Sequence, residues 1–462
     1  MREERIVVNP FVELEVEEYE SVQEINEHVS VRLKGQIPYD KKDEYMQICR
    51  QSGWIQVRVI SEKTEHTLFC GVVTCGTAKV IGNTCSMELN LQSGTVLMDE
   101  KKKIRSFQAE KLTYDGVLAV CNQGYESVAV DFSFGKGQAI DHFVMQYMET
   151  DWEFIKRLAS LKHQIILPEC LAAGVKYSLG IPEREEISLY DQIEFQTVCD
   201  MEEYRQKTKE GMNIALADIS SYVWESREIY RPGCWCKISG QKHYIWKIET
   251  KMKGSELYHT YFMRPKNGLS QSVQYNANLS GATLFGTVSA VENDRIQLKM
   301  TDDENKEQPE ARWFPYATDY SSPDGSGWYC MPEVGDKVRL YFPNSRDQEA
   351  YSVSAYHESG AELRQNPERK FWRNKEGKEI QLAPGKILLT NNNGTYVELS
   401  DTEGVNIVSG GPVTLSSGGM LRISSASSSI ELSAPNKVRI KQGDTEMNLG
   451  GDLNMSGAQI KL

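Results

Sequence analysis

Cysteine and histidine disappear from the C-terminal part of the chain. The ten cysteines (Cys49, Cys70, Cys75, Cys85, Cys121, Cys170, Cys199, Cys234, Cys236 and Cys330) stop at Cys330, and the seven histidines (His28, His66, His142, His163, His243, His259 and His357) stop at His357. No disulfide can lock the C-terminal stretch, and no histidine there can bind a metal. No Cys-x-x-Cys pair is present. Cys234-Trp-Cys236 is a lone Cys-x-Cys, and its nearest histidine, His243, lacks a second partner at zinc-finger spacing. The cysteines are expected to be reduced and to pack as small apolar groups.

Catalytic constellations are also missing. No histidine pair has His-x-x-x-His or His-x-His spacing, no Gly-x-Ser-x-Gly elbow occurs, and no glycine-rich run ends in Gly-Lys-Ser/Thr. Metal-dependent proteolysis, elbow-type serine hydrolysis and phosphate-loop chemistry lose their signatures, so no enzyme activity, catalytic residue, cofactor or metal is expected. The acidic runs, such as residues 13–20, read as solvated faces. No apolar run approaches the roughly 20 residues that span a membrane. Met1 to Arg5 is charged, and Ile6-Val-Val-Asn-Pro10 is too short for a signal-peptide core. The protein is expected to be made and kept in the cytoplasm unless something other than the general secretory route exports it. Basic excess is missing too: 52 Lys and Arg stand against 65 Asp and Glu, a net charge of −13. That balance argues against a nucleic-acid surface and for a soluble particle.

What is present is β pattern. The 462 residues, 40% hydrophobic and 25% charged, suffice for two to four domains. Residues 386–462 form a ladder of apolar-x-apolar rungs: Ile387–Leu389, Tyr396–Leu399, Val405–Ile407, Val413–Leu415, Leu421–Ile423, Ile430–Leu432, Val438–Ile440, Met447–Leu449, Leu453–Met455 and Ile460–Leu462. Gly, Ser, Asn or Pro fill most gaps. Each rung has the period of a strand with one buried face, and the repetition is that of a β-solenoid-like array. A single ladder has no second layer to cover its apolar face. Identical ladders wrapped about a shared axis gain a dry core and paired edges. The expected core is Val397, Leu399, Val405, Ile407, Val413, Leu415, Leu421, Ile423, Ile430, Leu432, Val438, Ile440, Met447 and Leu449. Ten rungs at about 4.8 Å give a rod of roughly 50 Å. Glu398, Arg422, Glu431, Lys437, Arg439 and Lys441 are expected to face outward and keep it soluble.

Upstream, strands are expected at residues 30–34, 54–60, 68–74, 87–91 and 127–132, with short helices at 22–28 and 39–52. Residues 138–161 carry the clearest helical spacing, in Ile140, Phe143, Val144, Tyr147 and Met148. A capping box at Thr150-Asp-Trp-Glu153 starts a second helix there. Residues 186–275 return to β, at 193–195, 234–238, 244–248 and 259–263, with a helix at 201–209. Two β-rich blocks around a helical pair suggest paired barrels, and the pattern leaves open which strands belong to which barrel. Five strands within residues 281–358 fit a small OB-type barrel. Residues 359–385 are charged and turn-rich, as a neck would be. The expected domains are 1–280, 281–358, 359–385 and 386–462, and the fold class is mainly β.

Several of these motifs resemble one family. Thr150-Asp-Trp-Glu-Phe-Ile-Lys-Arg-Leu-Ala-Ser160 is similar to a helix of phage late-control hub proteins and VgrG-type spike proteins. Leu68-Phe-Cys-Gly-Val-Val73 with Lys101-Lys-Lys-Ile-Arg-Ser-Phe-Gln108 looks like their first-barrel pattern. Trp328-Tyr-Cys-Met-Pro-Glu-Val-Gly-Asp-Lys-Val-Arg-Leu-Tyr-Phe-Pro343 resembles the barrel of the central spike. Asn366-Pro-Glu-Arg-Lys-Phe-Trp-Arg373 resembles its neck, and the ladder its rod. The resemblance implies a hub fused to a baseplate central spike in a contractile injection system (type VI secretion-like, phage tail-like or an extracellular device). It further implies a homotrimer with an intertwined β-prism or β-helix. That trimer would cap a tube of inner-tube protein, meet baseplate proteins and effectors, and drive its rod through a target membrane. The particle would assemble in the cytoplasm and act outside or in the target. The 27 or so residues of the neck are too few for the lysozyme domain some phage spikes carry. Without histidine at the tip, a separate PAAR-type protein is expected to cap it at Ile460 and Leu462. The rival readings are a glycan- or receptor-binding tail spike and a stalked cell-wall hydrolase. The rod's lone aromatic, Tyr396, and the missing constellations count against them.

Overall fold

The computed structural model describes residues 5–51, 53–61, 64–188, 194–305, 311–358, 360–456 and 459. It divides into two compact units, Met1–His357 and Glu358–Leu462.

The first unit opens with β1 (Arg5–Asn9), β2 (Glu15–Glu24), β3 (Ser30–Ile37), helix α1 (Lys42–Arg50), β4 (Trp54–Ile60), β5 (Glu65–Ile81) and β6 (Thr84–Ser93). Alternation drives these strands: Val31 and Leu33 on β3, Ile55 and Val57 on β4, and Met87, Leu89 and Leu91 on β6 all point into one core with Phe69 and Tyr45. A middle layer follows: β7 (Lys103–Phe107), α2 (Tyr114–Cys121), β8 (Ala129–Phe132), β9 (Val144–Glu149), α3 (Asp151–Ser160), β10 (Ile166–Pro168) and β11 (Lys176–Leu179). Its core is built on Trp152, Phe154, Ile155 and Leu158 of α3, packed against Tyr114, Leu118 and Tyr177.

A second set comes next: β12 (Gln196–Cys199), α4 (Met201–Lys209), α5 (Leu216–Ile219), β13 (Ser220–Ser226), β14 (Trp235–Ile238), β15 (Gln241–Lys253) and β16 (Glu256–Pro265). Its core contains Trp224, Cys234, Cys236, Ile245, Tyr261 and Met263. Pairing of β2 with β15 joins the two sets into one sheet of order β1-β4-β5-β6-β3-β2-β15-β16-β13-β12, with β14 also on β15. The unit ends in a closed barrel of order β17-β18-β19-β21-β20, from β17 (Thr283–Glu292), β18 (Arg295–Met300), β19 (Trp313–Ala317), β20 (Lys337–Tyr341) and β21 (Tyr351–Tyr356).

In the second unit β22 (Lys370–Arg373), β23 (Glu379–Ala383), β24 (Lys386–Thr390), β25 (Tyr396–Ser400) and β26 (Gly404–Val408) form an antiparallel meander. β27 (Val438–Gln442), β28 (Thr445–Gly450) and β29 (Asp452–Ser456) form a second. The polar face of the larger meander is the better-satisfied one. Glu379 is buried and receives Arg369 at 2.6 Å and Arg373 at 3.1 Å, while Lys386 pairs with Glu398 at 2.8 Å. Burial pushes the Glu379 carboxyl up, but bonds from Arg369 and Asn392 and the charges of both arginines outweigh it and hold the carboxyl below its ordinary value.

The structure differs from the sequence-based expectations at several places. Residues 138–161 are not a pair of helices: Val144–Glu149 is a strand, and only Asp151–Ser160 is helical. Val144, Met145 and Gln146 are all buried, so this strand shows no period-two pattern, and its apolar spacing imitates a helix. Residues 22–28 are not helical either, because β2 runs to Glu24 and a turn follows. The strand expected at 193–195 begins at Gln196, and Ile193 lies outside the described residues. Residues 359–385, read as a neck, supply β22 and β23 to the same sheet as the first rungs. The rungs Val413–Leu415, Leu421–Ile423 and Ile430–Leu432 are not strands within the chain. A strand needs an edge to pair with, and the described residues of the chain offer these three none. Ile460 and Leu462 lie outside the described residues.

Two outcomes follow from this architecture. The capping box is formed: the Thr150 hydroxyl accepts from the Glu153 N–H at 3.1 Å, and the Glu153 carboxylate accepts from the Thr150 N–H at 2.9 Å. Thr150→Ala is expected to cost about 1 kcal/mol, read by denaturant unfolding. The lowered Glu379 contributes stability that is complete above its reference value of 4.5 and is lost as pH falls through the lower folded value. Thermal melts from pH 7 to pH 3 should show Glu379→Gln less stable at neutral pH and with a flatter acid loss; parallel curves would contradict this assignment.

Candidate functional site

Two features stand apart from ordinary packing. One joins the barrel to the rest of the first unit; the other is an uncovered face in the second.

The junction is built from β7, β9 and α3. Lys103 and Arg105 on β7 donate to Asp151, the fully buried first residue of α3, at 2.7 and 2.8 Å. Tyr125 and Gln146 also donate to it, at 2.7 and 3.1 Å. A carboxylate at a helix N-terminus also gains from the helix dipole. One helical turn and a half further on, the buried Arg157 fills a second node. Its Nε and Nη2 donate to Glu149 at 2.7 and 2.9 Å, Nη2 to the Met145 carbonyl at 2.7 Å, and Nη1 to Asp347 at 3.1 Å. Burial opposes the charge of Arg157, but Asp347 and Glu149 outweigh it and hold the guanidinium protonated. Asp347, which precedes β21 in the barrel, also accepts from the Met145 N–H at 2.9 Å. A second barrel loop grips β7: Asp303 accepts from the Ser106 N–H at 3.0 Å and from its hydroxyl, and Asn305 donates to the Ser106 carbonyl at 3.0 Å.

Apolar groups complete the joint. Phe143 and Met145 belong to the barrel's own core, with Leu284, Ile296, Leu340 and Phe342. Phe143 meets Phe314 edge-on at 5.0 Å. The barrel is thus plugged by a strand from outside it and tied by charge-assisted bonds. The sequence marked Arg157 only through its motif. Asp347 carries no local signature, because its partners lie about 190 residues away in the chain.

The second feature is the meander β22–β26. Its register places Trp372, Ile380, Leu382, Ile387, Leu389, Val397, Leu399, Val405 and Ile407 on one face. Nothing within the described residues buries that face: Leu399 is 45% exposed, Val405 65% and Ile407 57%. The smaller meander likewise puts Val438, Ile440, Met447, Leu449 and Leu453 on one face. Between the two, Val413, Leu415, Leu421, Ile423, Ile430 and Leu432 are all exposed. Among the described residues, segment 409–437 has no strand pairing and no backbone-to-backbone hydrogen bond.

Arrangements suited to chemistry are confined. His28 sits 2.7 Å from the Thr95 hydroxyl and 2.7 Å from Asp99, a hydroxyl–imidazole–carboxylate series the sequence did not signal. Thr95 is fully buried and bonds Ser93 at 2.9 Å, and Asp99 also accepts from Thr150, so the series ties a loop to the α3 cap. A cleft of about 480 Å³ is lined by Glu65, His66, Glu169, Arg184, Arg231 and His259 among others. The Cys170 thiol on its wall is buried, and that burial pushes its pKa well up, away from a thiolate. Cys236 lies opposite His243 in the β14–β15 pair. Among the described residues no group of three or more His, Cys, Asp or Glu side chains is arranged to hold a metal, and no helix is long and apolar enough to cross a membrane.

Comparison with known proteins agrees with this architecture. Residues 285–357 match the family of the type VI secretion system/phage-baseplate injector OB domain. A search of curated proteins finds no match. Among solved structures, the chain is similar to the Escherichia coli c3393 protein, described as a type VI secretion component resembling the T4 bacteriophage tail proteins gp27 and gp5. That match has 12% identity and a TM-score of 0.54, and covers 76% of this chain and 100% of the other. It is also similar to a chain of the Francisella PdpA–VgrG complex in its half-lidded form, with 10% identity, a TM-score of 0.56 and 88% of each chain covered. At such identities the likeness is one of fold. The mainly β architecture and the injector OB barrel together give this chain the fold of the VgrG-type hub-spike proteins.

Proposed function

We propose that this chain is the hub-spike of a contractile injection system, of type VI secretion or phage-baseplate kind, and that it works as a homotrimer. Three copies cap the inner tube through residues 1–280 and nucleate assembly with baseplate proteins. Residues 386–462 form the rod that crosses a target envelope on contraction. The trimer core is the set Val397, Leu399, Val405, Ile407, Val413, Leu415, Leu421, Ile423, Ile430, Leu432, Val438, Ile440, Met447 and Leu449. A PAAR-type tip protein docks at the end carrying Ile460 and Leu462. The action is mechanical, and no bond is made or broken.

The observation that carries this reading is the uncovered apolar face of β22–β26, continued by the unpaired rungs of 409–437. An amphipathic sheet with a bare apolar face is a half-built core. Two further copies supply the missing layer for the face and the missing edges for the rungs. The barrel junction suits the same role. A thrust on the hub reaches the barrel through Arg157, Asp347 and Asp303, where the bonds are buried and the aromatic plug leaves no slack.

Sedimentation tests the oligomer. The expected mass is three times 52.4 kDa, and a species of 52.4 kDa at micromolar concentration would contradict the reading. Leu399→Lys with Ile407→Lys is expected to dissociate the trimer, because each lysine would bury a charge in its core. Asp347→Asn leaves Arg157 with one buried carboxylate partner where it had two. It is expected to cost about 3 kcal/mol and to release the barrel to limited proteolysis near residues 270–282. Unchanged cleavage would show that the junction bears no load.

A further inference from the structure

The chain contains two Asn-Gly dipeptides, Asn267-Gly268 and Asn393-Gly394. An asparagine before glycine is open to internal attack, because glycine has no Cβ to keep its nitrogen away from the preceding side chain. The fold treats the two dipeptides in opposite ways.

Asn267-Gly268 is locked. It lies in the short 3-10 helix Lys266–Leu269. The Asn267 carboxamide donates to the Asp218 carboxylate at 2.8 Å and to the Asn213 carbonyl at 3.4 Å. Gly268 is buried against the Asp218 carbonyl with no room for a Cβ, and its own carbonyl accepts from Lys207 at 3.2 Å. Side chain and backbone are both pinned, so the carboxamide carbon cannot swing onto the glycine nitrogen.

Asn393-Gly394 is open. It sits in the turn between β24 and β25, and both residues are exposed. Three asparagines stand in a row there, and the first two are engaged. The Asn391 side-chain oxygen accepts from the N–H groups of Asn393 at 2.8 Å and Thr395 at 3.1 Å. The Asn392 carboxamide donates to the Gly377 carbonyl and, at 3.3 Å, to Glu379. Among the described residues, the Asn393 carboxamide and the Gly394 N–H have no hydrogen-bond partner. Gly394 has open space around it, at a φ of +78°.

We propose that Asn393 is a site of spontaneous isoaspartate formation. The Gly394 nitrogen bonds to Cγ of Asn393 as the Cγ–Nδ2 bond breaks. The Gly394 amide proton leaves with the amino group as ammonia, and a succinimide ring remains. Water then opens the ring at either carbonyl, giving aspartate or, with the main chain rerouted through the side chain, isoaspartate. The step consumes only water and needs no second copy. Its product adds a carboxylate, and in the isoaspartate form one extra backbone carbon, to the turn that sets Leu389 opposite Val397 and Ile387 opposite Leu399. The hairpin that presents part of the bare apolar face therefore ages chemically.

Incubating the full-length protein at mildly alkaline pH, folded and in urea, tests this, with tandem mass spectrometry to localise the product and isoaspartyl methyltransferase to identify it. In urea both dipeptides should convert. In the folded protein the Asn393 peptide should accumulate isoaspartate, the Asn267 peptide should keep its amide, and Asn393→Ser should lose the product. Folded protein in which Asn393 keeps its amide, in which Asn267 converts as fast, or in which Asn393→Ser leaves the product unchanged overturns the assignment. An Asn267 that stays intact in urea overturns the protection assigned to its fold.

Discussion

An apolar sheet face with no second layer is the constraint on which the rest of this protein depends. The meander β22–β26 satisfies its polar side well, through Glu379 and its two arginines, while among the described residues nothing buries Leu399, Val405 and Ile407 on the other side. In water such a face is a driving force for association. Segment 409–437 sharpens the point. Its rungs have strand-forming side chains but, among the described residues, no strand partners, so backbone as well as side chains is left to be satisfied. The two self-paired meanders on either side then mark where each chain begins and ends its own sheet.

The first unit meets the opposite requirement. Here the barrel is seated on the rest of the unit by an inserted strand end, a guanidinium bridging two carboxylates, and a loop carboxylate on the β7 backbone. These are directional bonds in a dry setting, costly to break singly. The pairing of β2 with β15 joins the two β sets of the unit into one sheet.

Much of this was legible in the sequence where one face of a strand is wet. The barrel strands, the capping box at Thr150, the helix at Met201–Lys209 and six of the rungs stand where alternation or cap chemistry put them. Legibility failed where burial is two-sided. Val144–Glu149 is enclosed by the α3 layer on one side and the barrel on the other, so its spacing carries no strand signature. The kinship of β5–β6 with β15–β16 is illegible for a different reason: the two hairpins share a register shift and a turn glycine, Gly82 and Gly254, features of backbone pairing that side-chain identity barely records. The Arg157–Asp347 bridge is a contact between distant parts of the chain, which no local pattern announces.

Amide hydrogen exchange across residues 409–437 of the full-length protein addresses the central claim most directly. Among the described residues of one chain these amides have no backbone partner, so a lone chain would exchange them at rates near those of an unfolded peptide. The account predicts protection at the rungs Val413–Leu415, Leu421–Ile423 and Ile430–Leu432 comparable to that of β24 and β25, because other copies bond them. Exchange complete within seconds at all three rungs would contradict it.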